Sequence, residues 1–301
     1  MILDPTKPTN TKELHDLLLG AVSPRPIALA STVDLQGNVN LSPFSFFNVF
    51  STKPAILIFS PNRRVRDNTT KHTLENILET YEVVINTVSY AMVEQISLAS
   101  SEYEKGVNEF LKSGLTEVKS DLVQPPRVKE SPVSFECRVL EVKSMGTEGG
   151  AGNLVICEPI LIHAQDFIFD EQGKIDPHQV DSVARMGGDH YCRVNGESIF
   201  RLPKPGIPLA IGIDLLPADI RNSSVLTGNN LGRLANINKI PTPEEVKTFS
   251  ENFNYKTLSQ SNGDDRIVTI HKHAQHFLAQ GETKKAWLLL LSANKTTEPW
   301  S

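Results

Sequence analysis

Four cationic side chains, Arg63, Arg64, Arg66 and Lys71, crowd into one short stretch of a chain whose formal charge is −5, from 30 basic and 35 acidic residues. They lie in FSPNRRVRDNTTKHT with Ser60 and Thr73, and this segment runs into residues spaced for a helix. Upstream, SPRPIALASTVDLQGNVNLSPFSFFN gathers Ser31, Thr32, Asn40, Ser42, Ser45 and Asn48 beside short apolar runs. Cations and small hydroxyls at a helix entry suit a phosphate, because first-turn N–H groups carry partial positive charge and Lys, Ser and Thr add donors. On composition alone, a solvated basic loop leading into a capped helix accounts for the same residues and is the simpler reading.

Such residues need a scaffold, and residues 26–60 supply the pattern of one. IALAST, SFFNVF and AILIFS are β-branched or aromatic runs separated by turn residues, as in a meandering antiparallel sheet, with Gln36-Gly37-Asn38 as a hairpin tip. Over Asn68–Thr80, Leu74, Ile77 and Leu78 share one helical face, and YEVVIN then returns the chain to a buried strand. A second helix is expected over Ala91–Ser100. Two further strands, VSFECRVLEV and NLVICEPILIHA, flank the glycine-rich MGTEGGAG, which suits a long hairpin loop. Short strands with few helical crossovers predict a mainly β fold, a closed or nearly closed small barrel. After Pro203, PADIRNS, TPEEVKTFSENF, RIVTIHKHAQHFLAQ and KKAWLLLLSA read as helices joined by polar turns, so the domains are 1–203 and a helical extension, 204–301.

Several chemistries lack their residues. The acidic balance argues against nucleic acid as a partner. Cys137, Cys157 and Cys192 form neither a disulfide framework nor a CxxC clip, which points to a reducing, cytoplasmic setting. MILDPTKPTN has no leader pattern and Ala286–Leu291 is too short to cross a bilayer, so a soluble protein without a membrane partner is expected. Gly146–Gly152 sits between strands, with no helix behind it to form a Rossmann phosphate site. His271, His273 and His276 lack acidic or cysteine companions, so no metal is assigned. His163 and Cys137 read as packed strand residues without a catalytic partner, and Arg25, between Pro24 and Pro26, as structural.

The ordered series PRPIALASTVDLQGNVNLSPFSFFNVFSTKPAILIFS, TKHTLENILETYEVVIN, NEFLKSGLT, PPRVKESPVSFECRV and ARMGGDHY resembles the flavin reductase-like family. That resemblance implies an FMN-binding split β-barrel with flanking helices, typically a homodimer. It implies that Ser31, Thr32, Asn40, Ser42, Pro43 and Ser45 meet the isoalloxazine ring and ribityl chain, and that Ser60, Lys71 and Thr73 clamp the phosphate with Arg64. Arg185, Gly187, Gly188 and Tyr191 match an R-x-G-G-x-x-Y ending placed at or near the flavin. The family often has Lys-Asp-Thr where this chain has Lys71-His72-Thr73, so the helix cap falls to Thr73, Thr70 or Asn68. The implied activity is NAD(P)H-dependent reduction through bound FMN. The alternatives are a non-enzymatic FMN-binding carrier or storage protein, or a barrel that has lost its flavin and serves as an interaction module. The extension is open to three roles: dimer contact, lid, or docking surface.

Overall fold

The computed structural model describes residues 2, 4, 11–206, 209–253 and 264–293, so most of the leading MILDPTKPTN lies outside it. The chain divides into two units, Met1–Phe200 and Arg201–Ser301.

The first unit opens with α1 (Thr11–Ala21), followed by β1 (Ala28–Val33), β2 (Val39–Phe44), β3 (Phe47–Thr52) and β4 (Ala55–Phe59). Then come α2 (His72–Thr80), β5 (Glu82–Asn86), a 3₁₀ turn at Tyr90–Met92, α3 (Val93–Ala99) and α4 (Glu109–Ser113). The short pair β6 (Glu117–Val118) and β7 (Arg127–Val128) precedes the long hairpin of β8 (Val133–Ser144) and β9 (Asn153–Ala164). α5 (Pro177–Val180), β10 (Val183–Arg185) and β11 (Tyr191–Arg193) complete it.

Seven antiparallel strands form one sheet in the order β2-β1-β5-β8-β9-β4-β3. β2 and β3 are its outermost strands, yet only Ser45 and Phe46 separate them in sequence, so the sheet must curl until its edges meet at this corner. Phe44 of β2 and Phe59 of β4 touch across the interior, with ring centroids 5.4 Å apart. No ladder joins β2 to β3 among the described residues. Of the closed or nearly closed barrel that the sequence predicts, the structure shows a curled seven-stranded sheet with no ladder across this seam among the described residues.

Both faces of β1 are covered. Ala28 and Ala30 face an interior cluster with Phe59, Ile77, Val83, Ile85, Val139 and Val155, whereas Ile27 and Leu29 pack with Met92, Ile96 and Phe110 under α3 and α4. This two-sided burial is why β1 reads as an almost continuous apolar run. At the β1–β2 tip, the Asp34 carboxylate accepts from the backbone N–H groups of Gln36 (3.0 Å) and Asn38 (2.8 Å). Gly37 takes φ +85° there, as the expected hairpin requires.

The second unit contains α6 (Ala218–Arg221), α7 (Gly228–Ala235), α8 (Pro243–Asn252), α9 (Asp264–Ala279) and α10 (Thr283–Ala293); the patterning anticipates all but α7. Ile270, Ala274 and Leu278 line one face of α9 and meet Leu234, Trp287 and Leu290 in a core of its own. The Trp287 indole N–H donates to the Leu234 carbonyl at 2.9 Å, so this large side chain is buried with its polar atom satisfied. Trp287→Ala should therefore cost the helical unit about 3–5 kcal/mol, read as a fall in its chemical-denaturation midpoint.

Candidate functional site

A cleft of about 400 Å³ opens beside the start of α2, with Ser42, Pro43, Ser45, Phe46, Arg64 and Lys71 among its lining residues. It continues into a narrower hollow that shares Ser42, Arg64, Lys71 and Glu102 and adds Asn40, His72, Thr73 and Glu109. The volume lies within the usual range for a small-molecule site. A second cleft of about 470 Å³ borders Arg127, Lys129 and His163. Ser131 and Ser134 line it too, but no α-helix start does, so the chemistry favours the first.

The helix entry has no cap of its own. Lys71 occupies the N-cap position with extended backbone, φ −89° and ψ 143°, and no side chain accepts from the first turn. The expected caps are engaged elsewhere, which corrects the sequence reading. Thr70 Oγ1 donates to Glu75 Oε1 at 2.6 Å, the Asn68 side-chain oxygen accepts from Arg63 Nε at 2.6 Å, and Thr73 Oγ1 accepts from the Asn40 side-chain amide at 2.8 Å. An uncapped N-terminus beside a lysine is a place where an anion supplies the missing acceptors.

The cationic loop is held from both sides. Arg63 N–H donates to the Ala151 carbonyl and Gly150 N–H donates back to the Arg63 carbonyl, at 2.9 and 3.0 Å. The glycine-rich turn between β8 and β9 therefore braces the loop as well as closing the hairpin. A Cβ on Gly149 would stand 3.0 Å from the Arg64 carbonyl oxygen and 3.1 Å from that of Val65. Ser60 ties the same region together: its hydroxyl donates to Asn62 Oδ1 at 2.8 Å and accepts from Asn153 N–H at 3.0 Å. Arg64 donates to Thr69 Oγ1 at 2.9 Å and to the Thr70 carbonyl.

Lys71 is largely covered, and burial, followed by the charge of Arg64, pushes its ammonium below the ordinary lysine value. Desolvated charge attracts an anion more strongly than the same charge in water. Burial likewise lowers the His72 imidazole.

The remaining expected residues take different places. Ser31 and Thr32 are fully buried in β1 and do not line the cleft. Thr32 Oγ1 accepts from the Asn76 side-chain amide at 3.1 Å, so with Asn40 and Thr73 it clamps α2 onto the sheet. Ser31 Oγ is buried without a partner. Arg185 and Tyr191 pair across β10 and β11, the guanidinium 4.6 Å from the ring centroid, and neither lines the cleft in this chain. Arg25 is structural, as read: it donates to the Leu19 and Val22 carbonyls at the end of α1 and to the Met186 carbonyl at 2.6 Å.

Sequence reasoning missed Glu102, Asn62, His15 and Leu19, all of which border the cleft. Of these, α1 contributes His15 and Leu19, brought in from the chain start by folding alone.

His163 also departs from its reading as a residue without a partner. Its Nε2 lies 2.6 Å from Glu136 Oε1, with Asp121 Oδ2 at 3.7 Å, a set compact enough to hold a metal. Glu136 also accepts from the backbone N–H groups of Asp121 (2.9 Å) and Leu122 (2.7 Å). Burial pushes its carboxyl up, but those donors and His163 outweigh it and hold it below the ordinary value. Cys137 is packed as expected, its thiol pushed up by burial. His271 Nδ1 is 2.7 Å from Ser223 Oγ, and His276 Nε2 is 3.0 Å from the Gln280 side-chain nitrogen.

The fold is thus a curled antiparallel sheet with a cleft at its corner, bordered by a cationic, uncapped helix start. Residues 20–171 match the family model described as a flavin reductase like domain, and the chain belongs to that family. It is accordingly a protein with a flavin cofactor and a flavin-related redox role. An uncharacterized protein of Aquifex aeolicus (strain VF5) is 38% identical over 191 residues, covering 64% of this chain and 95% of that protein. A split-barrel protein from Shewanella frigidimarina NCIMB 400 superposes with a TM-score of 0.56 at 28% identity, covering 65% of this chain and 94% of that one. The 2-nitrobenzoate 2-nitroreductase of Pseudomonas fluorescens aligns with a TM-score of 0.60 at 25% identity, covering 70% and 100%.

Gly149→Val should push the cationic loop off its brace and weaken flavin binding while leaving the sheet folded. Flavin fluorescence titration alongside far-UV circular dichroism checks both. A carboxyl held low in the folded state contributes stability above its unfolded value, and that contribution is lost as pH falls through the folded one. Glu136→Gln should therefore flatten the acid limb of the stability–pH curve, as measured by denaturant titration at stepped pH.

Proposed function

We propose that the protein is an FMN-dependent oxidoreductase that takes electrons from NAD(P)H and works as a homodimer in the cytoplasm. The observation that carries the FMN reading is the uncapped start of α2, with Lys71 at its N-cap and Arg64 beside it. FMN ends in a phosphate dianion, and this cluster of partly desolvated cations, hydroxyls and open helix-start amides suits that group. Towards the corner of the sheet the cleft walls become Pro43, Phe44, Phe46 and Leu19, an apolar surface for a planar ring. The residues present thus fit both ends of the cofactor.

In this reading Lys71 and the first turn of α2 hold the phosphate, Arg64 steadies the loop that carries them, and Ser42 and Ser45 offer donors along the ring and its side chain. Bound FMN supplies the electron transfer, and the protein's part is to bind and orient. A general acid or base is not needed at the cleft for this chemistry. Among the described residues no helix is long and apolar enough to cross a membrane. The Pseudomonas nitroreductase, named for reduction of a nitro group, supports a small-molecule acceptor for this chain as well.

The purified full-length chain should bind FMN with a yellow spectrum that bleaches on anaerobic addition of NADPH or NADH. A spectrum that stays oxidised with both donors would favour the carrier reading. Lys71→Ala should weaken FMN about tenfold or more, the worth of one charge-assisted hydrogen bond, with riboflavin nearly unaffected. Equal losses for both ligands would remove Lys71 from the phosphate clamp.

A further inference from the structure

Three of the four cations that line the cleft, Arg64, Arg66 and Lys71, face one carboxylate, whereas Arg63 turns to Asn68. Glu102 Oε1 lies 3.0 Å from Arg64 Nε and 3.9 Å from Lys71 Nζ, and its Oε2 lies 2.9 Å from Arg66 Nη2. Glu102 follows the end of α3 by three residues and lines both the cleft and the hollow at the helix start. Its side chain is 43% exposed, and its carboxylate is directed to these three cations.

We propose that Glu102 is an internal stand-in for the cofactor phosphate, and that FMN binds by displacing it. The inference rests on the FMN reading above and adds a residue that sets how tightly, and for how long, the phosphorylated flavin is held. A carboxylate brings one negative charge and two acceptor oxygens. A phosphate monoester brings roughly −1.5 to −2 and three, enough to satisfy the cations and the open first turn of α2 together. The two anions repel each other and compete for the same donors. With Glu102 seated, the mutual repulsion of Arg64, Arg66 and Lys71 is partly neutralised, and FMN must compete with an occupant that belongs to the chain itself. Exposed ion pairs are individually weak, so the occupant is easily displaced and the cofactor stays exchangeable. The competition is blind to riboflavin, which has no charged end.

The test uses the full chain with Glu102→Gln and Glu102→Ala, each checked for an unchanged melting transition. FMN and riboflavin affinities are measured by fluorescence quenching, and FMN release by stopped flow. Both variants are expected to bind FMN about 3–10-fold more tightly and to release it correspondingly more slowly, with riboflavin unchanged. Added inorganic phosphate should compete with FMN more effectively in the variants than in the wild type. If the wild type prefers FMN to riboflavin and the variants bind FMN no better, the stand-in role is overturned while the phosphate site survives. If FMN weakens in both variants, Glu102 is a brace for the loop and the proposal falls. If the wild type shows no preference for FMN, the FMN reading fails and this inference with it. Should one variant melt early, the other carries the same comparison.

Discussion

Positive charge gathered around an uncapped helix start is the constraint that organises this protein. Like charges repel, so Arg64, Arg66 and Lys71 stay together only because other parts of the fold hold them there. Glu102 neutralises part of the charge, Arg64 is drawn to the Thr69 hydroxyl and Thr70 carbonyl, and the glycine-rich turn locks the loop backbone through Arg63. The approach of Gly149 to the Arg64 and Val65 carbonyls leaves no room for a side chain, which explains the glycine at that position of the turn. A hairpin alone would not demand it.

The second requirement is that α2 cannot slide. Its buried face carries Ile77 into the sheet interior, and its polar contacts run through Asn76 to Thr32 and through Thr73 to Asn40. Residues that the resemblance assigned to the flavin therefore divide by task. Ser42, Pro43, Ser45 and Lys71 line the cleft, whereas Thr32 and Thr73 fix the helix whose first turn forms its wall. Buried polar pairs of this kind are satisfied only in one arrangement, which fixes the position of the helix start more sharply than apolar packing would.

The helical unit is stable for a separate reason. Its core of Leu234, Ile270, Ala274, Leu278, Trp287 and Leu290 is contained within 201–301.

Much was legible from the chain alone, where the governing physics is local. The β1–β2 hairpin, the two long strands, the helix before YEVVIN and the cationic run at its entry all follow from periodicity and turn chemistry, which act over a few residues. What sequence could not supply was which side chains meet. Glu102 lies far along the chain from Arg64, and His163 looked solitary until β8 and β9 paired and set it against Glu136. The cap was misread because Thr70, Thr73 and Asn68 are all capable of capping, and only tertiary contacts drew each to another partner. Residue type and spacing determined that this chain carries strands, helices and a patch of cations. Where that charge points, what already neutralises it and which donors remain open were decided by the folded sheet, because electrostatic and hydrogen-bond partners are chosen by distance in space.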